Sequence, residues 1–413
     1  MKRNVIAVLL CCALAFSGCS ANQAEETSAQ TASGGTEEQK TDSAQDTDIT
    51  AEETKEETEP YQARLDVIEP SAYNNADGLS LEKGAYISVI GKAADGAFWK
   101  EVQKGALQAA EDINKKLGYT GKDKVKVTYN GPAESEDVDE QVNILDEELD
   151  RYPVAVAISI ADVQACGVQF DIATENGIPV VAFDSGSDYK GLMAMVSTDN
   201  KAAAVEAADK MAELTGEGEV VVIAHDSKSE TALVREKRFI KRMKKKHSGI
   251  TVAGDYRLDK MAETISEEVN EGTYSIDGGE AAGQPLAEEE KITAEDVTDE
   301  NIIDYILKKH PNVKGIYATN GESVTGVVEG LERAGMTGVN VVGYDADEAE
   351  IQAVKDGKIQ GLIVQNPFGM GYASVIAAAR ASLSLGNEAY VDTGYTWVTK
   401  ENADSEEVQE MLY

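Results

Sequence analysis

Polar side chains that suit a ligand with many hydroxyl groups stand at four predicted strand ends and on one predicted helix of this 413-residue chain. Those at strand ends are Asp184, Asn320, Asp345 and Gln365, and the one on a helix is Arg235. Carboxylate, amide and guanidinium groups together accept and donate hydrogen bonds, and each sugar hydroxyl also does both. Helix capping explains any one of these residues equally well. The set as a whole predicts a site for a polyhydroxylated small molecule.

Phe98 and Trp99 add flat apolar surface beside the first predicted strand. They follow the segment AYISVIGKA, at the point where the chain turns into a helix. An aromatic face packs well against the C–H face of a sugar ring or of another flat ligand. We expect one of the two rings to anchor the helix in the core and the other to face the ligand.

Reactive groups are sparse along the chain. The histidines are His225, His247 and His310, and none of them stands in a metal-ligand spacing. His225 ends a predicted strand and could point into a cleft, although a lone histidine is more often structural than catalytic. The sequence contains no G-x-S-x-G elbow, no phosphate-binding P-loop and no G-x-G-x-x-G after a strand. We therefore expect a protein that is not an enzyme and that has neither a cofactor nor a metal.

The elements that would position these side chains form a regular alternation from Ala85 onward. Short β-branched runs alternate with amphipathic stretches of helical periodicity. Near-continuous apolar strands separated by helices are typical of parallel sheets covered on both faces. Two such series in one chain predict an α/β protein with two doubly wound lobes. Because ligands of such sheets bind beyond the carboxyl ends of the strands, two facing lobes would line one cleft with their polar strand ends.

Residues 261–300 interrupt this alternation with an acidic and glycine-rich stretch. The composition favours a surface insertion with little order. A lid, or a calcium loop built from its carboxylates, is the alternative, although the carboxylates lack the spacing of an EF-hand loop.

The first 60 residues predict that the protein is exported and lies outside the cell. Basic residues and a short apolar run, Val5–Phe16, precede the tetrapeptide Phe-Ser-Gly-Cys that ends at Cys19, which predicts a signal peptide of residues 1–18. The tetrapeptide resembles the lipobox of bacterial lipoproteins, in which Leu normally takes the place of Phe16. This resemblance implies a lipid on the Cys19 thiol, and an ordinary secretory signal with an incidental cysteine is the alternative. Residues 19–60 are strongly acidic with little to bury, so we expect a disordered tether.

Charge and cysteine content exclude several classes of protein. The formal net charge of −37 repels nucleic acid, and the basic run Lys241–Lys246 is most simply the solvated face of one helix. Once the signal peptide is removed and Cys19 carries lipid, Cys166 is the remaining cysteine. A disulfide framework and a cysteine zinc site are therefore not expected.

Five segments together resemble the ribose- and galactose-type solute-binding proteins of ABC transporters, which have the type I periplasmic-binding fold. The segments are GAFWKEVQKGA, IPVVAFDSG followed by STDN, GIYATNGESVTGV, VNVVGYDA and GKIQGLIVQNPFGMG. By this resemblance, the aromatic pair that sandwiches the sugar falls on Phe98 and Trp99. The polar contacts fall on Asp184, Arg235, Asn320, Asp345 and Gln365, and on Ser159 in place of an Asn of the ribose branch. Ser185 stands where an Arg usually follows the Asp, which favours a sugar other than ribose, a derivative or another polar ligand.

The resemblance also implies how the lobes are built and what they serve. The chain would cross between lobes three times, with residues 83–198 and 366–394 in one lobe and 199–365 and 395–413 in the other, and the lobes would close on a ligand. The expected protein is a monomeric, lipid-anchored receptor that delivers a monosaccharide to an ABC permease. The anchor and tether favour the outer face of a Gram-positive membrane, where no outer membrane retains the protein. The alternatives are a nucleoside or autoinducer-like ligand, and a sensor that presents its closed form to a membrane kinase or chemoreceptor.

Overall fold

The computed structural model describes residues 61–413. The predicted signal peptide (1–18), the lipidation site Cys19 and the tether (19–60) lie outside this part of the chain. The strands are β1 Tyr86–Ile90, β2 Lys126–Asn130, β3 Ala155–Ile158, β4 Val180–Phe183, β5 Met195–Ser197, β6 Gly218–Ala224, β7 Ile250–Arg257, β8 Val313–Ala318, β9 Asn340–Tyr344, β10 Gly361–Gln365, β11 Tyr390–Asp392 and β12 Tyr395–Val398. The α-helices are α1 Gln62–Asp66, α2 Ala97–Leu117, α3 Val138–Leu149, α4 Gly167–Glu175, α5 Asn200–Thr215, α6 Glu230–Lys246, α7 Met261–Asn270, α8 Asp299–Lys309, α9 Gly321–Arg333, α10 Glu348–Asp356, α11 Pro367–Ser382 and α12 Glu406–Gln409.

The strands form two six-stranded sheets, in the orders β11-β5-β4-β3-β1-β2 and β12-β10-β9-β8-β6-β7. We call the part built on the first sheet the N-lobe and the part built on the second sheet the C-lobe. All strand pairs are parallel except that of β10 with β12. The predicted fold class, two doubly wound parallel-sheet lobes, is therefore confirmed.

The chain passes between the sheets after β5, after β10 and again between β11 and β12. The inner strands are mostly buried, and β3, β4 and β10 are buried along their whole length, because helices cover both faces of each sheet. Short strands and long crossover helices bring the carboxyl ends of the parallel strands to one edge of each lobe.

Helices α2 and α11 pack against each other at unusually short range in the N-lobe. A Cβ atom at Gly105 would overlap the carbonyl oxygen of Phe368, and one at Gly371 would overlap that of Val102. These two glycines allow the backbones to touch, which fixes α2 relative to the sheet. Helix α11 is buried at nearly every position, yet no helix within residues 61–413 has both the length and the hydrophobicity to cross a membrane.

Residues 61–82, which the sequence patterns left unassigned, form part of the N-lobe core. Leu65, Ile68 and Tyr73 are almost fully buried there. Arg64 joins this segment to α2 through an ion pair of 2.6 Å with Glu101. It also donates to the carbonyl oxygens of Glu410 and Leu412 at 2.6 and 3.1 Å, so it fixes the last residues of the sequence against the N-lobe.

The predicted insertion at 261–300 contains more structure than its composition indicates. Residues Met261–Asn270 form α7, which buries Ile265 and Val269 in the C-lobe core. Asn270 then accepts from the backbone of Ile292 and donates to its carbonyl, at 2.9 and 2.8 Å. The expectation of little order was wrong for this helix, because apolar residues at helical spacing pack on the lobe despite the acidic surface around them.

Candidate functional site

A cavity of about 570 Å³ lies where strand ends from both lobes meet. Its size is typical of a small-molecule site. Seven of the eight residues predicted to bind a ligand line this cavity, namely Phe98, Trp99, Asp184, Arg235, Asn320, Asp345 and Gln365. Ser159 is fully buried and is not part of the lining. The prediction that Ser159 lines the cavity is therefore wrong, and its hydroxyl supports Asp184 instead.

The aromatic wall is formed by the first turn of α2. Gly96 precedes this helix with a φ of 108°, a backbone conformation that residues other than glycine rarely adopt. The rings of Phe98 and Trp99 meet edge to face, with centroids 5.0 Å apart and planes at 78°. Both rings line the cavity, and both also pack against the N-lobe core. The expectation that only one of them would face the ligand was wrong.

Tyr413 provides a third ring that the sequence patterns did not reveal. Its ring lies edge to face with Phe98 at 5.9 Å, and its hydroxyl donates to Asp345 Oδ1 at 3.2 Å. No strand or helix periodicity extends to this residue, so its position depends on long-range contacts such as those of Arg64. Tyr413 thereby connects the aromatic wall of the N-lobe with a carboxylate of the C-lobe.

Arg235 organises the C-lobe wall. Its guanidinium donates to Asn200 Oδ1 at 2.7 Å, to the carbonyl of Thr319 at 2.7 Å and to Gln365 Oε1 at 2.9 Å. The same group stacks over the ring of Tyr344, 3.9 Å from its centroid. Within residues 61–413, three of the five N–H groups of the guanidinium have a partner in the protein, so two are left to donate to a ligand.

Gln365 and Asp345 continue this network. Gln365 Nε2 donates to Asp345 Oδ1 at 2.7 Å, and the backbone N–H of Gly321 donates to Asp345 Oδ2 at 2.9 Å. Asn320 caps α9, because its Oδ1 accepts from the N–H of Ser323 at 3.0 Å. Asn320 therefore caps α9 and also lines the cavity, and its contact with a ligand stays a prediction.

Asp184 is the corresponding carboxylate of the N-lobe. Ser159 donates to Asp184 Oδ2 at 2.7 Å, and Lys92 Nζ lies 3.7 Å from the same oxygen. Ser159 thus stands behind the carboxylate and orients it. Lys92 is 2 % exposed and lines the cavity, and it follows β1 as the other polar residues follow their strands. The strand-end pattern that identified Asp184 therefore also applies to Lys92, which we did not predict.

The two cavity aspartates that follow strands, Asp184 and Asp345, have a left-handed backbone conformation, with φ of 53° and 75°. Asp adopts this region more readily than most residues, but the conformation still costs energy and occurs often at binding sites. Each follows a central parallel strand directly. The turn redirects the chain at the strand end while the carboxylate stays in the cavity.

Burial changes the protonation of several groups that line the cavity. Burial, reinforced by Asp345 and Asp347, raises the pKa of Glu350 to about 9. Burial also raises the pKa of Glu136 to about 7, against the opposing effect of Lys92. For Lys92, burial alone would lower the pKa, but Asp184 and Glu136 outweigh it and the pKa is raised. Lys92 is therefore a cation and Glu350 is neutral at pH 7.

His225, the one candidate for acid–base chemistry, is held by hydrogen bonds within the C-lobe. Its Nδ1 lies 2.6 Å from Thr319 Oγ1, and its Nε2 lies 3.2 Å from Ser229 Oγ. Burial lowers its pKa to about 3, although Asp226 opposes this shift. The imidazole is neutral at pH 7, and both ring nitrogens have partners.

Two α/β lobes whose strand ends enclose a polar cavity with an aromatic wall define a bilobal small-molecule-binding protein. A family model described as "Periplasmic binding protein domain" matches residues 87–386. The chain therefore belongs to the periplasmic binding protein domain family.

Individual relatives agree with this assignment. The chain is 25 % identical over 292 residues to the ribose import binding protein RbsB of Escherichia coli (strain K12), which covers 71 % of this chain and 83 % of the relative. It is 25 % identical over 308 residues to the D-allose-binding periplasmic protein of the same strain, covering 71 % of this chain and 85 % of the relative. Among solved structures, a carbohydrate transporter solute-binding protein of Agrobacterium radiobacter in complex with D-arabinose superposes with a TM-score of 0.64 at 28 % identity. That match covers 80 % of this chain and 99 % of the other.

Proposed function

We propose that the protein captures a monosaccharide or a closely related polyol between its lobes and delivers it to an ABC permease. One observation carries this proposal: a single cavity is lined by the rings of Phe98, Trp99 and Tyr413 and by carboxylate, guanidinium and ammonium groups. Such a cavity offers apolar surface to a sugar ring and hydrogen bonds to its hydroxyls. The printed names of the relatives, which include ribose, D-allose and D-arabinose, support the same ligand class.

The protein acts by binding alone in this proposal. The hydrogen bonds of His225 to Thr319 and Ser229 support this view, because a general base needs a ring nitrogen that faces its substrate. Closure of the two lobes around the ligand would change the surface that they present to the permease. We expect the receptor to function as a monomer, because residues of a single chain line both walls of the ligand cavity.

We assign the protein to the outer face of a Gram-positive cell membrane, held there by a lipid on Cys19. The signal-like residues 1–18 and the acidic residues 20–60 support this location. The Cys19→Ala variant should lose incorporation of a fatty-acid label and move from the membrane fraction to the medium. A label that persists in the variant would contradict the assignment.

A thermal-shift screen of the purified protein tests the ligand class. Pentoses, hexoses, nucleosides and amino acids should be compared, and a ligand at 100 times its Kd adds about 2.7 kcal/mol of stability. We expect a shift from one or more sugars. Shifts from amino acids or nucleosides alone would contradict the proposal.

The Asp184→Asn variant then tests the site. It keeps the shape of the side chain but removes the charge that faces Lys92, so the sugar-induced shift should be strongly reduced. Asp188→Asn is the matched control, because Asp188 is exposed on the same lobe and does not line the cavity. Equal shifts in both variants would remove Asp184 from the site.

A further inference from the structure

A second cavity of about 360 Å³ adjoins the ligand cavity. Glu136, His225 and Asn320 line both cavities, whereas Asp226 lines only the second. Asp226 therefore faces the second cavity and not the ligand cavity. The second cavity also contains Asp259, which the ligand cavity lacks.

Asp226 has one satisfied and one unsatisfied carboxylate oxygen. Its Oδ1 accepts from the backbone N–H groups of Lys228 and Ser229, each at 2.7 Å. Its Oδ2 is buried and has no hydrogen-bond partner within residues 61–413. The residue as a whole is 5 % exposed. His225 Nε2 lies 3.5 Å from Oδ2, which is too long for a good hydrogen bond. A buried carboxylate oxygen that makes no hydrogen bond is costly, so a group that binds Oδ2 would stabilise the protein.

Two further metal-ligating side chains surround this oxygen. Glu136 reaches it from the N-lobe, between β2 and α3, and His225 precedes Asp226 at the end of β6 in the C-lobe. One ligand atom from each of the three residues lies within 4.8 Å of the others. Imidazole nitrogen and carboxylate oxygen are common zinc ligands, with bonds of about 2.0–2.2 Å. The ligand atom of His225 would be Nε2, which must give up its 3.2 Å contact with Ser229 Oγ, whereas Nδ1 keeps Thr319 Oγ1 as its partner.

We propose that Glu136, His225 and Asp226 bind one divalent transition-metal ion of the zinc type, which connects the two lobes. Tetrahedral zinc places its ligand atoms about 3.4 Å apart, so the three groups must move together slightly. Such a movement requires mainly a small approach of Glu136 toward β6, because His225 Nε2 and Asp226 Oδ2 already lie 3.5 Å apart. The ion would satisfy Asp226 Oδ2 and would favour the closed arrangement of the lobes.

Lys92 is the cation that competes for this position. Its Nζ lies 3.6 Å from Glu136 Oε1 and 3.7 Å from Asp184 Oδ2. When the ion binds Glu136, Lys92 keeps Asp184 as its partner. The metal site is thus compatible with an intact ligand site, and sugar binding is not required for it.

Zinc titration of the chelator-stripped protein by calorimetry tests the proposal, with Asp226→Asn as the central variant. Asn keeps the Oδ1 acceptor for Lys228 and Ser229 but replaces Oδ2 with an amide nitrogen, which does not ligate zinc. Asp259→Asn is the matched control, since it removes the same charge from the same cavity outside the three-residue cluster. We expect one zinc ion per wild-type chain and unchanged affinity in the control. Asp226→Asn should weaken binding at least about 100-fold, more than the loss of an outer-shell partner does.

X-ray absorption at the zinc edge gives a second measurement that needs no variant. The spectrum of the wild-type complex should contain one imidazole nitrogen and carboxylate oxygens in the first shell. The proposal is wrong if the wild type binds no zinc, if Asp259→Asn weakens binding as much as Asp226→Asn, or if the spectrum lacks an imidazole ligand. These outcomes are independent of whether any sugar binds, so they leave the proposed function unaffected.

Discussion

Replacement of Arg235 by Met tests whether one guanidinium group holds the C-lobe wall of the cavity together. Arg235 is 2 % exposed and its donors reach α5, the residue after β8 and the end of β10. Met keeps much of the aliphatic volume but donates nothing. The three acceptors, Asn200 Oδ1, Thr319 O and Gln365 Oε1, would each lose a partner in a buried place.

The size of the effect follows from these three bonds. A buried polar group that loses its partner costs about 1–3 kcal/mol, and the costs within one network do not simply add. We therefore expect Arg235→Met to lower the free energy of unfolding by about 3–5 kcal/mol, as for other disrupted buried charge networks. Urea unfolding measures this change. In a Trp99→Phe background, the fluorescence of Trp397 in β12 reports on the C-lobe, because the chain has two tryptophans.

Arg242→Met provides the control on the same helix. Arg242 pairs with Asp209 at 2.7 and 2.6 Å, and its side chain is 31 % exposed. A surface pair of this kind contributes about 0–1 kcal/mol, so this variant should unfold nearly as the parent does. Equal urea midpoints for the two variants, or a loss below about 1 kcal/mol for Arg235→Met, would refute the argument.

Three further variants test other parts of the site. Ser159→Ala should weaken sugar binding about fivefold in calorimetry, since loss of one hydrogen bond to Asp184 costs about 1 kcal/mol; unchanged affinity would exclude a positioning role. Tyr413→Ala should weaken binding about two- to twelvefold through loss of an aromatic contact of about 0.5–1.5 kcal/mol, whereas Tyr413→Phe should weaken it less, and equal effects would assign the loss to the hydroxyl. Glu350→Gln should flatten the dependence of stability on pH. The raised pKa of about 9 means that the folded state keeps a proton which the unfolded state releases above its ordinary pKa. In the parent, the free energy of unfolding should therefore fall by about 1.4 kcal/mol per pH unit as the pH rises from the ordinary pKa of a glutamate to the raised pKa of Glu350. An identical slope in the variant would show that Glu350 is not the cause of this pH dependence.

The main elements of the fold follow from local patterns, and the exceptions have physical reasons. The short β-branched runs of the predicted alternation form the strands β1 to β10. The two missed strands, β11 and β12, have three and four residues and pair at the sheet edges. Such short segments carry little periodicity, and their structure depends on the neighbouring strand. Residues 61–82 were missed for a similar reason, because their burial depends on contacts with distant parts of the N-lobe.

The candidate site was predictable where a single rule applied. Polar residues after parallel strands point into the cleft, and this rule placed Asp184, Asn320 and Asp345 in the cavity. Ser159 also follows a parallel strand, but it lies behind the cavity wall, because its short side chain reaches only the carboxylate of Asp184. Tyr413 follows no parallel strand, so only the folded arrangement of the last residues places it beside Phe98.

The hydrogen bonds already made around the cavity restrict what a ligand must offer. Asp345 accepts bonds from Gln365, Gly321 and Tyr413, so little of its capacity remains. Arg235 retains two N–H groups, and the ion pairs of Lys92 at 3.6 and 3.7 Å are too long to be hydrogen bonds. Among Asp345, Arg235 and Lys92, the unused capacity is thus mainly that of donors. A cationic ligand could not accept from them, whereas the hydroxyls of a neutral sugar accept from both cations and still donate to a carboxylate. The donors of Arg235 and Lys92 therefore favour hydroxyl groups as the part of the ligand that binds beside them.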